Sequence, residues 1–151
     1  MKYIILFFII LGLDQLSKWL VSLNMALGES NTVINDFFHI TYIRNTGAVF
    51  SMFAEHTLVL GVFAGIVVLG LLIFVFLKRK TASPLFLISL VMIASGGMGN
   101  VIDRLARGYV VDFFDFRVFP VFNVADIFVT LGCALILFYT IFIEDKNIAD
   151  R

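Results

Sequence analysis

Residues 95–126 read SGGMGNVIDRLARGYVVDFFDFRVFPVFNVAD. Four of the chain's eleven acidic residues fall here: Asp103, Asp112, Asp115 and Asp126. Apolar runs flank the stretch, residues 84–98 before it and 127–143 after it. A carboxylate beside an apolar segment of bilayer length is disfavoured by its own desolvation, so its presence points to a function. Asp103 closes one such segment and Asp126 opens the next. If both segments cross a bilayer, the hairpin between them returns the two carboxylates to one face.

Working outward, composition supports a membrane reading. The chain has 151 residues, of which 61% are hydrophobic, and its mean hydropathy is +1.04. A soluble domain would be about half apolar. Eleven basic residues balance eleven acidic ones, and no basic run suggests nucleic acid. The single cysteine, Cys133, excludes an internal disulfide and a multi-cysteine metal site. Lying mid-segment, it reads as a small buried hydrophobe.

The first apolar run, residues 3–13, has the character of a signal-peptide core. Apolar residues resume at Leu16, Trp19, Leu20, Val21 and Leu23, however, and no A-x-A site follows. Residues 3–23 are therefore expected to form a retained membrane helix. Asp14 and Lys18 stand four apart on one face of it and can pair. Two readings stay open: a boundary pair with Lys18 snorkelling to the headgroups, or a pair that helps to shape a site.

The polar stretch 26–56 carries a loop signal at residues 28–31 and a turn signal at Asn35-Asp36. Residues 38–44 alternate with strand period, which predicts a small sheet at the membrane surface. His39 and His56 are too far apart for a metal signature and read as surface or interfacial residues. Residues 58–77 form a second span, in which Gly61 and Gly65 suit close helix packing. Lys78-Arg79-Lys80 marks a cytoplasmic loop, and Pro84 suits a first helical turn. The third span is expected over 84–101 and the fourth over 123–143. Residues 95–99 are nearly bare of side chains, open to a neighbouring helix or to a substrate backbone.

The expected architecture is thus one integral membrane domain, mainly α. It has four transmembrane helices and a small extracytoplasmic platform containing β-structure. Both termini lie inside, and segments 26–56 and 104–122 lie outside. Arg44, Arg104, Arg107 and Arg117 are then external, against the usual charge bias, and serve as a clue to function.

In this topology Asn100, Asp103, Arg104, Asn123 and Asp126 gather at the external ends of spans three and four. Two carboxylates brought close in a poorly hydrated site cannot both ionise, so one holds a proton. The ionised member can activate water, while the protonated one polarises a carbonyl or protonates a leaving group. No serine–histidine pair is evident. From spacing alone three readings remain: aspartyl hydrolysis, an ion or proton pathway, and a structural polar network. A pathway would need to reach both faces, yet spans two to four carry no acid in their inner halves.

Five blocks bear on the choice: Asp14-Gln15-Leu16-Ser17-Lys18; Arg44-Asn45-Thr46-Gly47-Ala48 with Phe50-Ser51; Gly99-Asn100-Val101-Ile102-Asp103-Arg104; Val111-Asp112-Phe113; and Phe122-Asn123-Val124-Ala125-Asp126. In this order, on a four-span chain of this length, the sequence resembles the bacterial lipoprotein signal peptidases (signal peptidase II). That resemblance implies an intramembrane aspartic endopeptidase with Asp103 and Asp126 as its dyad. Its substrates would be diacylglyceryl-modified prolipoproteins, cut just before the lipidated cysteine. It further implies a bacterial cytoplasmic membrane location, no metal or cofactor, and sensitivity to globomycin-type cyclic peptides. The expected partners are the lipid-modified substrates and membrane lipids, with the chain acting as a monomer. Asn45 and Arg104 are expected to orient substrate or support the dyad. Asn100 and Asn123 would hydrogen-bond the carboxylates or the substrate main chain, with Asp14 and Lys18 supporting the site. Asp112 is expected to fix the connecting loop, and Asp115 has no defined role.

Overall fold

The computed structural model describes residues 1–47 and 57–144, within which lie four long helices and a three-stranded sheet. The expectations for Ala48, Phe50, Ser51, His56 and the polar tail from Asp145 onward lie outside the described residues. Helices α1 (Lys2–Asn24), α2 (Thr57–Lys78) and α3 (Pro84–Arg107) are each long and apolar enough to cross a bilayer. So is Val124–Ile143, which comprises α4 (Val124–Tyr139) and part of a final π-helical turn.

Each boundary has a local cause. Pro84 occupies the first turn of α3, where its missing N–H breaks no bond. Gly108 ends α3 in the left-handed region at φ 76°, its N–H bonded to the Arg104 carbonyl. The helix therefore continues past the expected end at residue 101, because Gly108 and not Asp103 supplies the stop. At the start of α4, Asn123 accepts from the Asp126 N–H while Asp126 accepts from the Asn123 N–H. This capping box fixes both side chains at the helix N-terminus.

Helix α3 is the centre of the bundle. Sixty-one per cent of its most apolar window is buried, against 17% for α1 and α2 and 6% for the fourth span. The outer helices turn residues such as Phe8, Phe63, Ile66 and Leu137 outward, a surface suited to hydrocarbon. Cys133 is exposed on α4 and is not the buried hydrophobe expected; an apolar outer face facing lipid accepts it as well as a core does.

The bare patch of α3 is filled by neighbours, not left open to a substrate. A Cβ on Gly96 would fall 2.3 Å from the Ala125 carbonyl oxygen of α4, and one on Gly99 2.2 Å from Asp14 Oδ2 of α1. Gly61 and Gly65 of α2 meet Leu105 and Val101 of α3, the close approach their spacing predicts.

The sheet has the order β1 (Ser30–Ile34), β2 (Phe38–Asn45), β3 (Val110–Asp115), all antiparallel. The hairpin turns at Asn35-Asp36, with Asp36 at φ 57°. Strand β2 was expected, whereas β1 lay in a predicted loop and β3 in the connecting stretch. All five β1 residues are exposed, so no hydrophobic alternation marks them. Strand β3 is buried on both faces and pairs with β2 as Ile43↔Asp112 and Asn45↔Val110. Tyr42, Val111 and Phe113 seat the sheet on Val21 and Met25 of α1.

Candidate active site

The helical spacing of Asp14 and Lys18 turns both into the bundle, where both are fully buried. Lys18 Nζ lies 2.9 Å from each of Asp14 Oδ2, Asp103 Oδ2 and Asn100 Oδ1. An ammonium has three N–H donors, and all three are used. Lys18 thus does not snorkel; it sits where polar side chains of α1 and α3 converge. Asp14 Oδ1 accepts from the Ala125 N–H at 2.8 Å and so ties α1 to the first turn of α4.

Asp103 is fully buried beneath this ammonium. Its Oδ2 also accepts from the Val111 N–H at 3.3 Å. Its Oδ1 accepts no hydrogen bond but lies 3.6 Å from the Arg107 guanidinium.

Amides carry the arrangement from Lys18 to the remaining acids. Asn100 Oδ1 accepts from Lys18 and from Asn123 Nδ2, the latter at 3.1 Å. Its own Nδ2 is thereby aimed at Asp126 Oδ1, 2.8 Å away. The other Asp126 oxygen accepts from the Asn123 N–H at 3.2 Å. Asn123 Nδ2 also donates to Asp112 Oδ1 at 2.7 Å, and Asn45 Nδ2 to Asp112 Oδ2 at 2.9 Å. Burial pushes the Asp112 carboxyl up to about 6, and the negative charge of Asp126 pushes the same way, against the hydrogen bonds from Asn45 and Asn123.

The structure thus brings together Asp14, Lys18, Asn45, Asn100, Asp103, Asn123 and Asp126, but in two tiers. Asp103 stands in the ion-paired tier with Lys18 and Arg107. The carboxyl that shares Asn123 with Asp126 is that of Asp112, which the sequence assigns to loop support. The missed signal is the carboxylate inside an otherwise apolar strand, Val110-Val111-Asp112-Phe113-Phe114, where strand burial on both faces leaves it only 3% exposed. Arg104 is half-buried, and its Nε has no hydrogen-bond partner. Asp115 serves the sheet: it accepts from Thr41 Oγ1 and from Arg117. Burial works to raise its carboxyl, but these bonds and the Arg117 charge outweigh it and leave it below its usual value. His39 lies on the sheet surface beside the hydroxyls of Ser30 and Thr32.

Beside Asp126 an apolar cleft of about 290 Å³ runs along α4, lined by Phe119, Phe122, Ile127, Thr130 and Leu131. Among the described residues no three His, Cys, Asp or Glu side chains are placed to hold a metal ion.

A helical membrane bundle with a carboxylate–amide site beneath a small sheet is the class these features define. Two solved structures described as bacterial membrane enzymes share this fold, with TM-scores of 0.83 and 0.84 at 29% identity. The first match covers 92% of this chain and 87% of the other, and the second 94% of each. The family model for Signal peptidase (SPase) II matches residues 6–142, and the chain belongs to that family. A lipoprotein signal peptidase of Moorella thermoacetica is 41% identical over 138 residues, 90% of each chain. One of Fusobacterium nucleatum is 42% identical over 150 residues, covering 97% of this chain and 90% of that one.

Proposed function

We propose that this chain is an aspartic endopeptidase that removes signal peptides from lipid-modified prolipoproteins, with Asp112 and Asp126 as the working pair. One observation carries the reading: Asp112 and Asp126 act on each other across Asn123, beside an apolar cleft, while Asp103 is engaged by Lys18. The sequence resemblance was read as pairing Asp103 with Asp126. The geometry favours Asp112, because Asp103 Oδ2 is already held by the Lys18 ammonium and the Val111 N–H.

In this mechanism Asp112 holds the proton and Asp126 the charge. Asp126 takes a proton from water as the oxygen attacks the scissile carbonyl, and Asp112 donates its proton to the carbonyl oxygen. Collapse of the tetrahedral intermediate breaks the C–N bond: the proton on Asp126 passes to the leaving amine, and one gem-diol hydroxyl returns its proton to Asp112 as the new carboxyl forms. Asn45, Asn100 and Asn123 fix the pair, and the unpartnered Arg104 Nε is available to a substrate carbonyl. Lys18 with Asp14 and Asp103 positions Asn100. The cleft along α4 suits an acyl chain, consistent with a cut just before a lipidated cysteine, and a globomycin-type cyclic peptide would compete there. All of these residues come from one chain, so a monomer suffices.

The test is cleavage of a diacylglyceryl-modified prolipoprotein by purified protein in detergent, with Asp112→Asn, Asp126→Asn and Asp103→Asn alongside. Asp112→Asn and Asp126→Asn should stay folded and lose roughly 10³-fold or more in turnover. Asp103→Asn should chiefly lower the unfolding midpoint, since breaking a buried ion pair costs about 3–5 kcal/mol, with a smaller loss of turnover in the folded fraction. A folded, inactive Asp103→Asn beside a cleaving Asp112→Asn would return the dyad to Asp103 and Asp126.

A further inference from the structure

At the end of the bundle away from the sheet, an apolar groove of about 290 Å³ opens between α1 and α2. Tyr3, Phe7, Leu72, Val75 and Phe76 line it, and Arg79 stands at its rim. The groove spans Met1 to Phe8 along α1, roughly 10 Å at a rise of about 1.5 Å per residue. That depth takes it from an interface about a third of the way through a hydrocarbon core of roughly 30 Å.

Charge at the rim has one sign. Arg79 leans over the Phe76 ring at 4.0 Å and donates one guanidinium N–H to the Phe76 carbonyl, which anchors the side chain at the groove mouth. The fork has five N–H donors, so others remain for an anion. Lys2 stands between the lining residues Met1 and Tyr3 in sequence, its ammonium 5.1 Å from the Tyr3 ring, and Lys78 and Lys80 flank Arg79 in sequence. Among the described residues no carboxylate lines the groove.

We infer that this groove is a binding site for an anionic phospholipid of the leaflet that bathes the Lys78–Lys80 end. One acyl chain lies between α1 and α2, and the phosphate sits between Arg79 and Lys2. A zwitterionic lipid fills the same apolar volume but brings its own cation to a rim that is already basic. A second protein chain would need an acidic complement to the same rim, and the opposing charge is what an anionic headgroup supplies.

The experiment is native mass spectrometry of the full chain released from bilayers of equal phosphatidylglycerol and phosphatidylcholine. Wild type is compared with a Lys2→Ala/Arg79→Ala double variant and with Ile4→Trp, which fills the groove. Wild type should retain phosphatidylglycerol over phosphatidylcholine by roughly tenfold. The double variant should bring the two lipids to parity, and Ile4→Trp should reduce retention of both. Unfolding midpoints in lipid-free detergent should match wild type, and prolipoprotein cleavage should persist, because none of these residues touches the carboxylate site. Equal retention of both lipids by wild type overturns the inference, as does a preference that survives loss of both charges. A dimer that Ile4→Trp abolishes also overturns it, by making the groove an interface between copies.

Discussion

Lys18 meets two carboxylates and one amide with its three donors, and this governs what each neighbouring acid can do. Asp14 and Asp103 are both held by its ammonium. Asp112 is left with amide partners only, in a buried strand, facing Asp126. Its carboxyl rises from 3.8 to about 6, so the folded state binds more protons than the unfolded state between those values. Stability contributed by Asp112 is therefore full below about pH 4 and lost as pH rises through about 6, by roughly 3 kcal/mol. Thermal unfolding at pH 4.5 and 7.5 should show about 2 kcal/mol of this loss in wild type and its absence in Asp112→Asn. Identical pH slopes for the two proteins would mean that Asp112 is not the proton carrier.

At the level of elements, the site exists because α1, α3 and α4 approach at glycine. Asp14 reaches the Ala125 N–H only by passing over Gly99, where any Cβ would overlap its carboxylate. Gly99→Ala should push α1 away from α3, costing about 1–3 kcal/mol and loosening Lys18 from Asn100. The measurement is the unfolding midpoint together with cleavage in the folded fraction, and both should fall. An unchanged midpoint would show that α1 is not held at this point. The amphipathic logic of β2 was legible in sequence, as was the Asp14–Lys18 face of α1. Strands β1 and β3 were not, because one is exposed throughout and the other buried throughout, and neither alternates.

For the whole molecule, the two ends of the bundle differ in kind. One carries the sheet and the carboxylates, and the other the Lys78-Arg79-Lys80 turn. The positive-inside rule predicts that this basic turn lies inside; the proposed site then faces outward, where an exported substrate would present its cleavage point. In a Cys133→Ala background, Asn35→Cys should react with an impermeant maleimide added to intact cells, and Thr81→Cys only after lysis. The reverse pattern would invert the topology and put the carboxylates on the wrong side for an exported substrate.

Sequence alone determined the four spans, their order, the turn at Asn35-Asp36 and the shared helix face of Asp14 and Lys18; that this face turns inward came from the structure. These depend on hydropathy over some twenty residues, on local turn chemistry or on helical spacing, all of which are properties of contiguous chain. Which acid the Lys18 ammonium contacts from α3, and which one shares Asn123 with Asp126, was decided only by the tertiary structure. Asp103 and Asp112 stand nine positions apart, and both lie among apolar residues. They differ in long-range neighbours: Lys18 from α1 reaches Asp103, while Asn45 from β2 and Asn123 from the α4 cap reach Asp112. The proton affinity of a buried carboxyl is set by the charges and donors within a few ångströms of it, and those come from parts of the chain that only folding brings together.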